Sequence, residues 1–167
     1  EIDDISVGNP SKLTTTLGPM ASVELADELA FQVEESVKKG AKLYGGKRGN
    51  HAFLSPGVLS NIPKDSPAYT EELFGPIAAF YHFKDKEEAI EIANNTTFGL
   101  GSSVWTSNKL TQQFMIDELE SGAVFLNSMV KSDPRLPFGG IKKSGYGREL
   151  SKEGIREFMN IKTVYIT

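Results

Sequence analysis

The sequence predicts an α/β fold, in which an open sheet is covered by helices. Helical and strand-like segments alternate along the chain, and this alternation is typical of α/β proteins. The helical segments carry apolar residues at helical spacing, and the strand-like segments are short apolar runs separated by glycine- and proline-rich turns. A chain of 167 residues is long enough for one domain or slightly more.

The first clear helix is predicted over residues 23–39, after a stretch without a clear period. Gly40 follows as a favourable C-terminal stop, and basic residues lie in the last turn, where they suit the helix dipole. The predicted buried stripe consists of apolar residues that recur every four positions: Leu25, Leu29, Val33 and Val37.

Three strand-like segments follow this helix. The second of them is interrupted by Pro56-Gly57, and residues 63–67 are predicted to form a loop before the third. The three segments cover residues 41–44, 52–59 and 77–83.

The second half of the chain continues the alternation. Further helices are predicted over residues 86–94, over residues 109–120 and after residue 151, and further strands over residues 98–105, 123–126 and 162–167. Each of these helices begins at a side chain that can cap it: Asp85, Ser107 and Ser151.

Residues 127–150 form a long connection with no helical or strand period. Pro134 and Pro137 interrupt regular hydrogen bonding there, and several glycines follow. A loop of this length inside a compact domain is usually functional or disordered, and Phe138 between a proline and two glycines argues against disorder. A surface crossover loop is the alternative.

Composition excludes several classes of function. The formal net charge of −4 gives no nucleic-acid footprint, no apolar run is long enough to span a membrane, and the acidic, polar start does not resemble a signal peptide. The chain has no cysteine, which excludes disulfides and thiol nucleophiles and is compatible with a cytoplasmic location. His51 and His82 have no second ligand at metal-binding spacing, so no metal site is predicted.

The segment Glu71-Glu72-Leu73-Phe74-Gly75-Pro76 places two carboxylates and an aromatic ring at the mouth of an apolar strand. Strand mouths are where α/β proteins bind ligands. A carboxylate there can accept hydrogen bonds from a ribose diol, and a neighbouring ring can pack on a flat cofactor ring. The alternative is a solvated turn before the strand.

Three stretches together resemble the aldehyde dehydrogenase superfamily, in order and in spacing. The resemblance extends over essentially the whole chain and is closest to bacterial succinate-semialdehyde dehydrogenases. The stretches are Glu71-Glu72-Leu73-Phe74-Gly75-Pro76, Ala93-Asn94-Asn95-Thr96-Thr97-Phe98-Gly99-Leu100 and Pro137-Phe138-Gly139-Gly140-Ile141-Lys142-Lys143-Ser144-Gly145-Tyr146-Gly147-Arg148-Glu149.

The resemblance implies a Rossmann-like open sheet flanked by helices and an incomplete catalytic domain. Residues 1–146 correspond to the C-terminal portion of that domain, residues 147–161 to a returning helix, and residues 162–167 to an oligomerisation strand. The chain is therefore expected to be the C-terminal third of such an enzyme, which assembles as a homo-oligomer.

The resemblance also implies the chemistry of the parent enzyme. A cysteine thiolate attacks a small aldehyde, a hydride passes to NAD or NADP, and the thioester is hydrolysed. In the family, the nucleophilic cysteine and the general-base glutamate precede the segment matched here. No catalytic residue is therefore expected in this chain, and the chain alone is expected to be inactive.

Supporting residues are carried over by the resemblance. Glu72 matches the glutamate that binds the nicotinamide ribose, and Phe74 matches the aromatic beside it. Phe138 matches a wall of the aldehyde pocket, and Glu149 matches a carboxylate linked to the active site through water. In the variable substrate loop, Ser132 can hydrogen-bond a substrate carboxylate, and Arg135 can pair with it or brace the loop against a backbone carbonyl.

Two alternatives remain open from the sequence. One is another branch of the superfamily, which acts on a different aldehyde or forms an acyl-CoA product. The other is a non-catalytic binding or assembly module, which the missing cysteine favours and the ribose-contact motif opposes. The choice between NAD and NADP depends on a selector that lies upstream in the family.

Overall fold

The computed structural model describes residues 2–167, which form two compact units, residues 2–82 and residues 83–167. A short 3-10 helix, Ile2–Asp4, precedes the regular elements. The helices are α1 (Val23–Lys38), α2 (Pro67–Thr70), α3 (Lys86–Asn94), α4 (Lys109–Glu118) and α5 (Ser151–Arg156). The strands are β1 (Lys42–Gly45), β2 (Gly57–Ser60), β3 (Ile77–Ala79), β4 (Phe98–Gly99), β5 (Ser102–Val104), β6 (Val124–Leu126) and β7 (Ile141–Lys142).

The first unit is a three-stranded sheet packed with two helices. β2 lies in the middle, antiparallel to β1 and parallel to β3, and α2 lies in the connection between the two parallel strands. The core of this unit is made of small and branched apolar residues from α1, α2, β2, β3 and two connecting segments: Leu29, Val33, Ala41, Leu54, Leu59, Ala68 and Ile77.

Helix α1 begins where the sequence predicts, and the side chain of Ser22 caps it by accepting a hydrogen bond from the main-chain nitrogen of Leu25 at 3.2 Å. Its buried face differs from the predicted stripe, because Val37 is exposed and two polar residues, Gln32 and Ser36, are buried. The hydroxyl of Ser36 accepts a hydrogen bond from the main-chain nitrogen of Ala68 at 3.0 Å and so ties α1 to the start of α2.

The second unit contains two small sheets. β5 and β6 pair in parallel and are connected by helix α4. β4 and β7 form an antiparallel pair. The side chain of Asn94, at the end of α3, joins the helix ends, because it donates to the carbonyl of Glu118 at 2.8 Å and accepts from the main-chain nitrogen of Glu120 at 2.9 Å.

The predicted α/β class with open sheets is confirmed, but the strands form three small sheets, and several bounds were wrong. The strand expected over 77–83 ends at Ala79, and the strand expected over 98–105 is divided into β4 and β5. The 127–150 connection, expected to lack strands, contains β7, because the edge of β4 accepts a two-residue ladder.

Two predicted helix caps were also wrong. The cap of α4 is Asn108, whose side chain accepts from the main-chain nitrogen of Thr111 at 3.0 Å, and Ser107 lies before it. Helix α5 begins after Leu150, and Ser151 is its first residue; both have a positive φ, near 63° and 52°. The loop predicted over 63–67 runs directly into α2, because Pro67 fits the first turn of a helix.

The C-terminal residues are less regular than expected. The returning helix predicted over 147–161 is limited to α5, and within the described part of the chain residues 160–167 belong to no helix or strand. Pairing of residues 162–167 with another subunit stays a prediction, as do the domain boundaries at 146 and 161. No helix among residues 2–167 combines the length and the apolar character that a membrane crossing requires.

Candidate functional site

The loop of residues 71–76, in the first unit, is held from its buried side. Leu73 packs against the core cluster, and Gly75 lies so close to the side chains of Leu29 and Met20 that a Cβ atom there would overlap Leu29 Cδ2. The main-chain nitrogen of Gly57 donates to the carbonyl of Pro76 at 2.9 Å. The loop is therefore fixed on the core before strand β3 begins.

One buried side chain contacts two consecutive residues of this loop. Gln32 Nε2 donates to Glu71 Oε2 at 2.8 Å and to the main-chain carbonyl of Glu72 at 3.3 Å. Gln32 is only 7% exposed, so its amide is shielded from water, and its two hydrogen bonds fix the main chain where α2 ends.

The two residues predicted to bind the cofactor lie on the open side of the same loop. Glu72 is exposed, and among residues 2–167 its carboxylate makes no hydrogen bond or ion pair. Phe74 is 65% exposed. The structure thus brings a free anion and a free aromatic face into one short segment, and both are available to a ligand.

The 127–150 loop, in the second unit, is held mainly by main-chain contacts. Phe138 and Glu149 form an antiparallel bridge, with main-chain N–O distances of 2.9 and 2.8 Å. A Cβ atom on Gly122 would overlap the carbonyl oxygen of Gly139, and one on Gly140 would lie 2.5 Å from Ser144 Cβ. Close packing therefore leaves no room for a side chain at Gly122 or at Gly140.

Side chains from the same loop tie it to the 93–100 segment. Lys142 Nζ donates to the carbonyls of Asn94 and Thr96 at 3.0 and 3.2 Å, and Ser144 Oγ accepts from the main-chain nitrogen of Gly99 at 2.9 Å. Arg148 Nη1 donates to the carbonyls of Gly140 and Gly147. Lys142 and Arg148 therefore brace main-chain carbonyls and are not assembled as an anion site.

Phe138 and Glu149 come together through their main chains, while their side chains have different surroundings. Phe138 is half-buried and lines a cavity of about 410 Å³ bounded by strand β6 and the 127–138 segment. Glu149 is exposed. Phe138 therefore borders a cavity, and its role as a wall of the aldehyde pocket stays a prediction.

The guanidinium of Arg135 is bound by a nearby carboxylate, a pairing that was not predicted from the sequence. Its Nε and Nη2 atoms donate to the two carboxylate oxygens of Asp133 at 2.9 and 2.6 Å, although its side chain is 85% exposed. These hydrogen bonds hold the pKa of Asp133 far below its usual range and raise that of Arg135. Arg135 therefore braces the loop through a carboxylate and not through the backbone carbonyl that was considered.

Ser132 lies beside this pair and is exposed, and within the described residues its hydroxyl makes no hydrogen bond. Asp133 lines the same cavity as Phe138, whereas Ser132 and Arg135 are not among the lining residues. The structure thus groups Asp133 with Phe138 and leaves the two predicted carboxylate ligands outside the cavity.

Two residues of these segments were missed in the sequence, Gln32 and Asp133. Gln32 could have been found, because it lies one helical turn before Ser36 and beside the apolar stripe of α1. Asp133 has a weaker signal, which is its position two residues before an arginine and next to a proline.

The chemistry available to these residues is binding and orientation. Among residues 2–167, no group of three or more His, Cys, Asp or Glu side chains is arranged to hold a metal ion. A larger cavity of about 600 Å³ lies between α3, α4 and β5, and it is lined by none of the predicted site residues.

Comparison with known proteins assigns these segments to a family. The sequence pattern described as the aldehyde dehydrogenase family matches residues 1–164. Succinate-semialdehyde dehydrogenase (NADP+) 1 of Mycobacterium ulcerans (strain Agy99) is 49% identical over 169 residues, a match that covers 99% of this chain and 37% of the relative. Succinate-semialdehyde dehydrogenase (NADP+) of Mycobacterium avium (strain 104) is 52% identical over 165 residues, which cover 97% of this chain and 35% of the relative.

Solved structures give the same result. Succinic semialdehyde dehydrogenase from Streptococcus pyogenes, in complex with NADP+ as the cofactor, matches with a TM-score of 0.92 and 39% identity over 99% of this chain and 37% of that chain. Aldehyde dehydrogenase 21 from Physcomitrella patens, in complex with the reaction product succinate, matches with a TM-score of 0.89 and 34% identity over 93% of this chain and 33% of that chain. The sequence thus spans little more than a third of the length of these relatives.

Proposed function

The chain belongs to the aldehyde dehydrogenase family, and from that membership we propose that it is part of an NADP-dependent enzyme that oxidises succinate semialdehyde to succinate. The observation that carries the proposal is the open side of the 71–76 loop, where a free carboxylate and an exposed ring are held on a fixed main chain. The names of the relatives support NADP over NAD and succinate semialdehyde over other aldehydes.

In this proposal, Glu72 and Phe74 hold the nicotinamide end of NADP. When bound, the cofactor accepts the hydride that leaves the aldehyde carbon. The residues present fit such a group, because the Glu72 carboxylate is free to accept hydrogen bonds from ribose hydroxyls and the Phe74 ring offers an exposed face to a flat ring. Within residues 2–167, Glu72 has no hydrogen bond or ion pair of its carboxylate to give up in doing so.

Succinate semialdehyde is proposed to contact the 127–150 loop. Phe138 forms a wall beside the aldehyde, and Ser132 offers a free hydroxyl to the distal carboxylate of succinate semialdehyde. Arg135 can contribute its charge only by sharing its guanidinium with Asp133 or by exchanging Asp133 for the substrate. Glu149 is proposed as the carboxylate that relays a proton through water.

The test compares a full-length enzyme that carries this sequence with the 167-residue chain alone. We expect the full-length enzyme to form NADPH when succinate semialdehyde is supplied, and to prefer it to an aldehyde of equal length without a carboxylate. We expect the chain alone to form none, because it contains no cysteine to attack the aldehyde. Equal rates with both aldehydes would contradict the proposal that succinate semialdehyde is the substrate. NADPH formation by the chain alone would contradict the expectation that the catalytic residues lie outside this chain.

We also propose that the parent enzyme is a homo-oligomer assembled through residues 162–167. Val164, Tyr165 and Ile166 are largely exposed, and a strand of this composition has unpaired backbone groups unless a sheet edge receives it. Deletion of residues 162–167 from the full-length enzyme should lower its mass in light scattering. If the deleted enzyme keeps its full oligomeric mass and its stability, residues 162–167 are not part of the assembly interface.

A further inference from the structure

Gln32 is an unusual residue for its position on α1. It lies on the face that carries Ala26, Leu29 and Val33 into the core, and only 7% of it is exposed. A buried amide is costly unless its hydrogen bonds are made, and an apolar side chain would continue the stripe without that cost. The reason for an amide at this point is therefore to be sought in its partners.

Both partners lie at the start of the 71–76 loop. The same Nε2 atom donates to the side chain of Glu71 at 2.8 Å and to the main-chain carbonyl of Glu72 at 3.3 Å. A single group that holds one residue by its carboxylate and the next by its backbone restricts the peptide between them. The direction in which the Glu72 side chain leaves the loop is set by that restricted peptide.

The donor is also neutral. A lysine or arginine at residue 32 would bring a positive charge beside Glu71 and Glu72 and lower the negative potential that a hydroxyl donor meets there. The amide fixes the loop without adding a positive charge beside the Glu72 carboxylate.

We propose that Gln32 is a positioning residue for cofactor binding: through Glu71 and the Glu72 carbonyl, it holds the Glu72 carboxylate in the orientation that receives the ribose hydroxyls. This inference rests on the proposed function, since Glu72 meets a cofactor only in that function. Gln32 itself touches neither cofactor nor substrate.

The first test replaces Gln32 by methionine in a full-length enzyme that carries this sequence. Methionine has nearly the same length and no donor, so the core stays filled while both hydrogen bonds are lost. We expect the KM for NADP to rise about tenfold, in line with the loss of a hydrogen bond to a charged group, and the KM for the aldehyde to stay the same. An unchanged KM for NADP in a folded Q32M enzyme overturns the proposal.

The matched control is Gln112→Met in the second unit. Gln112 is also 7% exposed, and its Nε2 atom donates to the carbonyl of Thr106 at 2.7 Å. This variant loses that hydrogen bond and the one that Gln112 Oε1 accepts from Lys109 Nζ at 3.1 Å, in a segment with no proposed ligand. We expect a lower melting temperature and an unchanged KM for NADP; a rise equal to that of Q32M would mean that any buried amide has the same effect, and would overturn the proposal.

A second route reaches the same contact from the solvent side. Glu71 is exposed, so Glu71→Ala removes the acceptor without opening the core. We expect E71A to raise the KM for NADP in the same direction as Q32M, and the double variant to be less impaired than the product of the two single effects. Fully multiplicative effects would show that Gln32 does not act through Glu71, and would overturn the proposal.

Hydrogen exchange separates this inference from the proposed function. In the same full-length protein, the amides of residues 71–75 should exchange faster in Q32M than in the unsubstituted protein or in Gln112→Met. Unchanged exchange in Q32M overturns the positioning role. The unsubstituted protein could form no NADPH from any aldehyde while Q32M still speeds amide exchange in residues 71–75. That result would contradict the proposed function and would support the fixing of the loop by Gln32.

Discussion

The 71–76 and 127–150 loops carry the proposed ligand contacts of the two units, and they are held in opposite ways. The first is fixed by side chains of a distant helix: Gln32 binds its start, and Leu29 packs against Gly75. The second is fixed mainly by main-chain contacts, through its internal Phe138–Glu149 bridge and the close approach of Gly122 to Gly139.

The difference decides which charges stay available. In the 71–76 loop, a neutral amide does the holding, and Glu72 is left free. In the 127–150 loop, charged side chains do part of the holding: Lys142 and Arg148 bind carbonyls, and Arg135 binds Asp133. A ligand therefore meets a ready anion in one loop, and in the other an arginine that must be shared.

The largest expected effect comes from Gly122→Ala, which attacks the main-chain packing of the second loop. The added methyl would overlap the carbonyl oxygen of Gly139, and a backbone atom has no rotamer to move into. We expect the free energy of unfolding in urea to fall by about 3 kcal/mol or more. Gly18→Ala is the control, because its methyl would lie 3.7 Å from Pro10 Cβ, an ordinary contact, and its effect should stay within about 0.5 kcal/mol.

Gly75→Ala applies the same change to the first loop and should cost less. Here the new methyl meets the ends of two flexible side chains, Leu29 and Met20, which can rotate away. We expect a loss of about 1–2 kcal/mol in the same urea titration. A loss as large as that of Gly122→Ala would mean that the two loops are equally rigid, and the contrast between side-chain and main-chain support would fail.

Glu72→Gln tests the free anion of the first loop in a full-length enzyme. The amide keeps the size of the side chain but binds a ribose hydroxyl more weakly than a carboxylate does. We expect hydride transfer to slow by about tenfold, roughly 1.4 kcal/mol, with little change in the KM for the aldehyde, as single-turnover measurements can show. An unchanged turnover with a raised aldehyde KM would assign Glu72 to the substrate instead.

Asp133→Asn tests the shared cation of the second loop and should have the smallest effect. It releases the guanidinium of Arg135 from its ionic partner. If Arg135 receives the substrate carboxylate, the KM for succinate semialdehyde should fall a few-fold, while that for an aldehyde without a carboxylate stays the same. A higher KM for succinate semialdehyde would show that Asp133 positions Arg135 for the substrate and does not compete with it.

The same pair predicts a flat pH response. Because hydrogen bonds from Arg135 lower the pKa of Asp133, the pair contributes stability that is present above the ordinary aspartate pKa of 3.8 and is lost only as the pH falls through the lower folded pKa. Between about pH 5 and 9, the pair stays charged. The KM for succinate semialdehyde should therefore show no step in this range that Asp133→Asn removes.

The elements with a strong period were predicted well from the sequence, because burial and local capping act together there. Residues 23–38 form a helix where the apolar spacing indicates it, and residues 86–94 form one where the spacing and the cap Asp85 indicate it. The strand bounds were less accurate, since pairing depends on a partner elsewhere in the chain, as in the ladder between β4 and β7. The residue pattern of the 127–150 loop does not indicate that part of it pairs with β4.

For the candidate site, the residues with a free side chain were predicted, and those that hold them were missed. Glu72, Phe74 and Phe138 belong to motifs that can be recognised in the sequence. Gln32 lies 39 residues before Glu71 and is linked to it only by the fold. The pairing of Arg135 with Asp133 depends on one local turn among several that the sequence allows. Both contacts depend on the folded geometry, so the residue types alone do not predict them.

The open C-terminal segment has a practical consequence for anyone who purifies this chain. Residues 162–167 contain β-branched and aromatic residues, no proline and no acidic side chain, which is the composition of segments that stack into cross-β fibrils. While Val164, Tyr165 and Ile166 stay exposed, concentrated samples should lose solubility through this tail. A lysine in place of Val164 would act as a gatekeeper charge and extend the working concentration range.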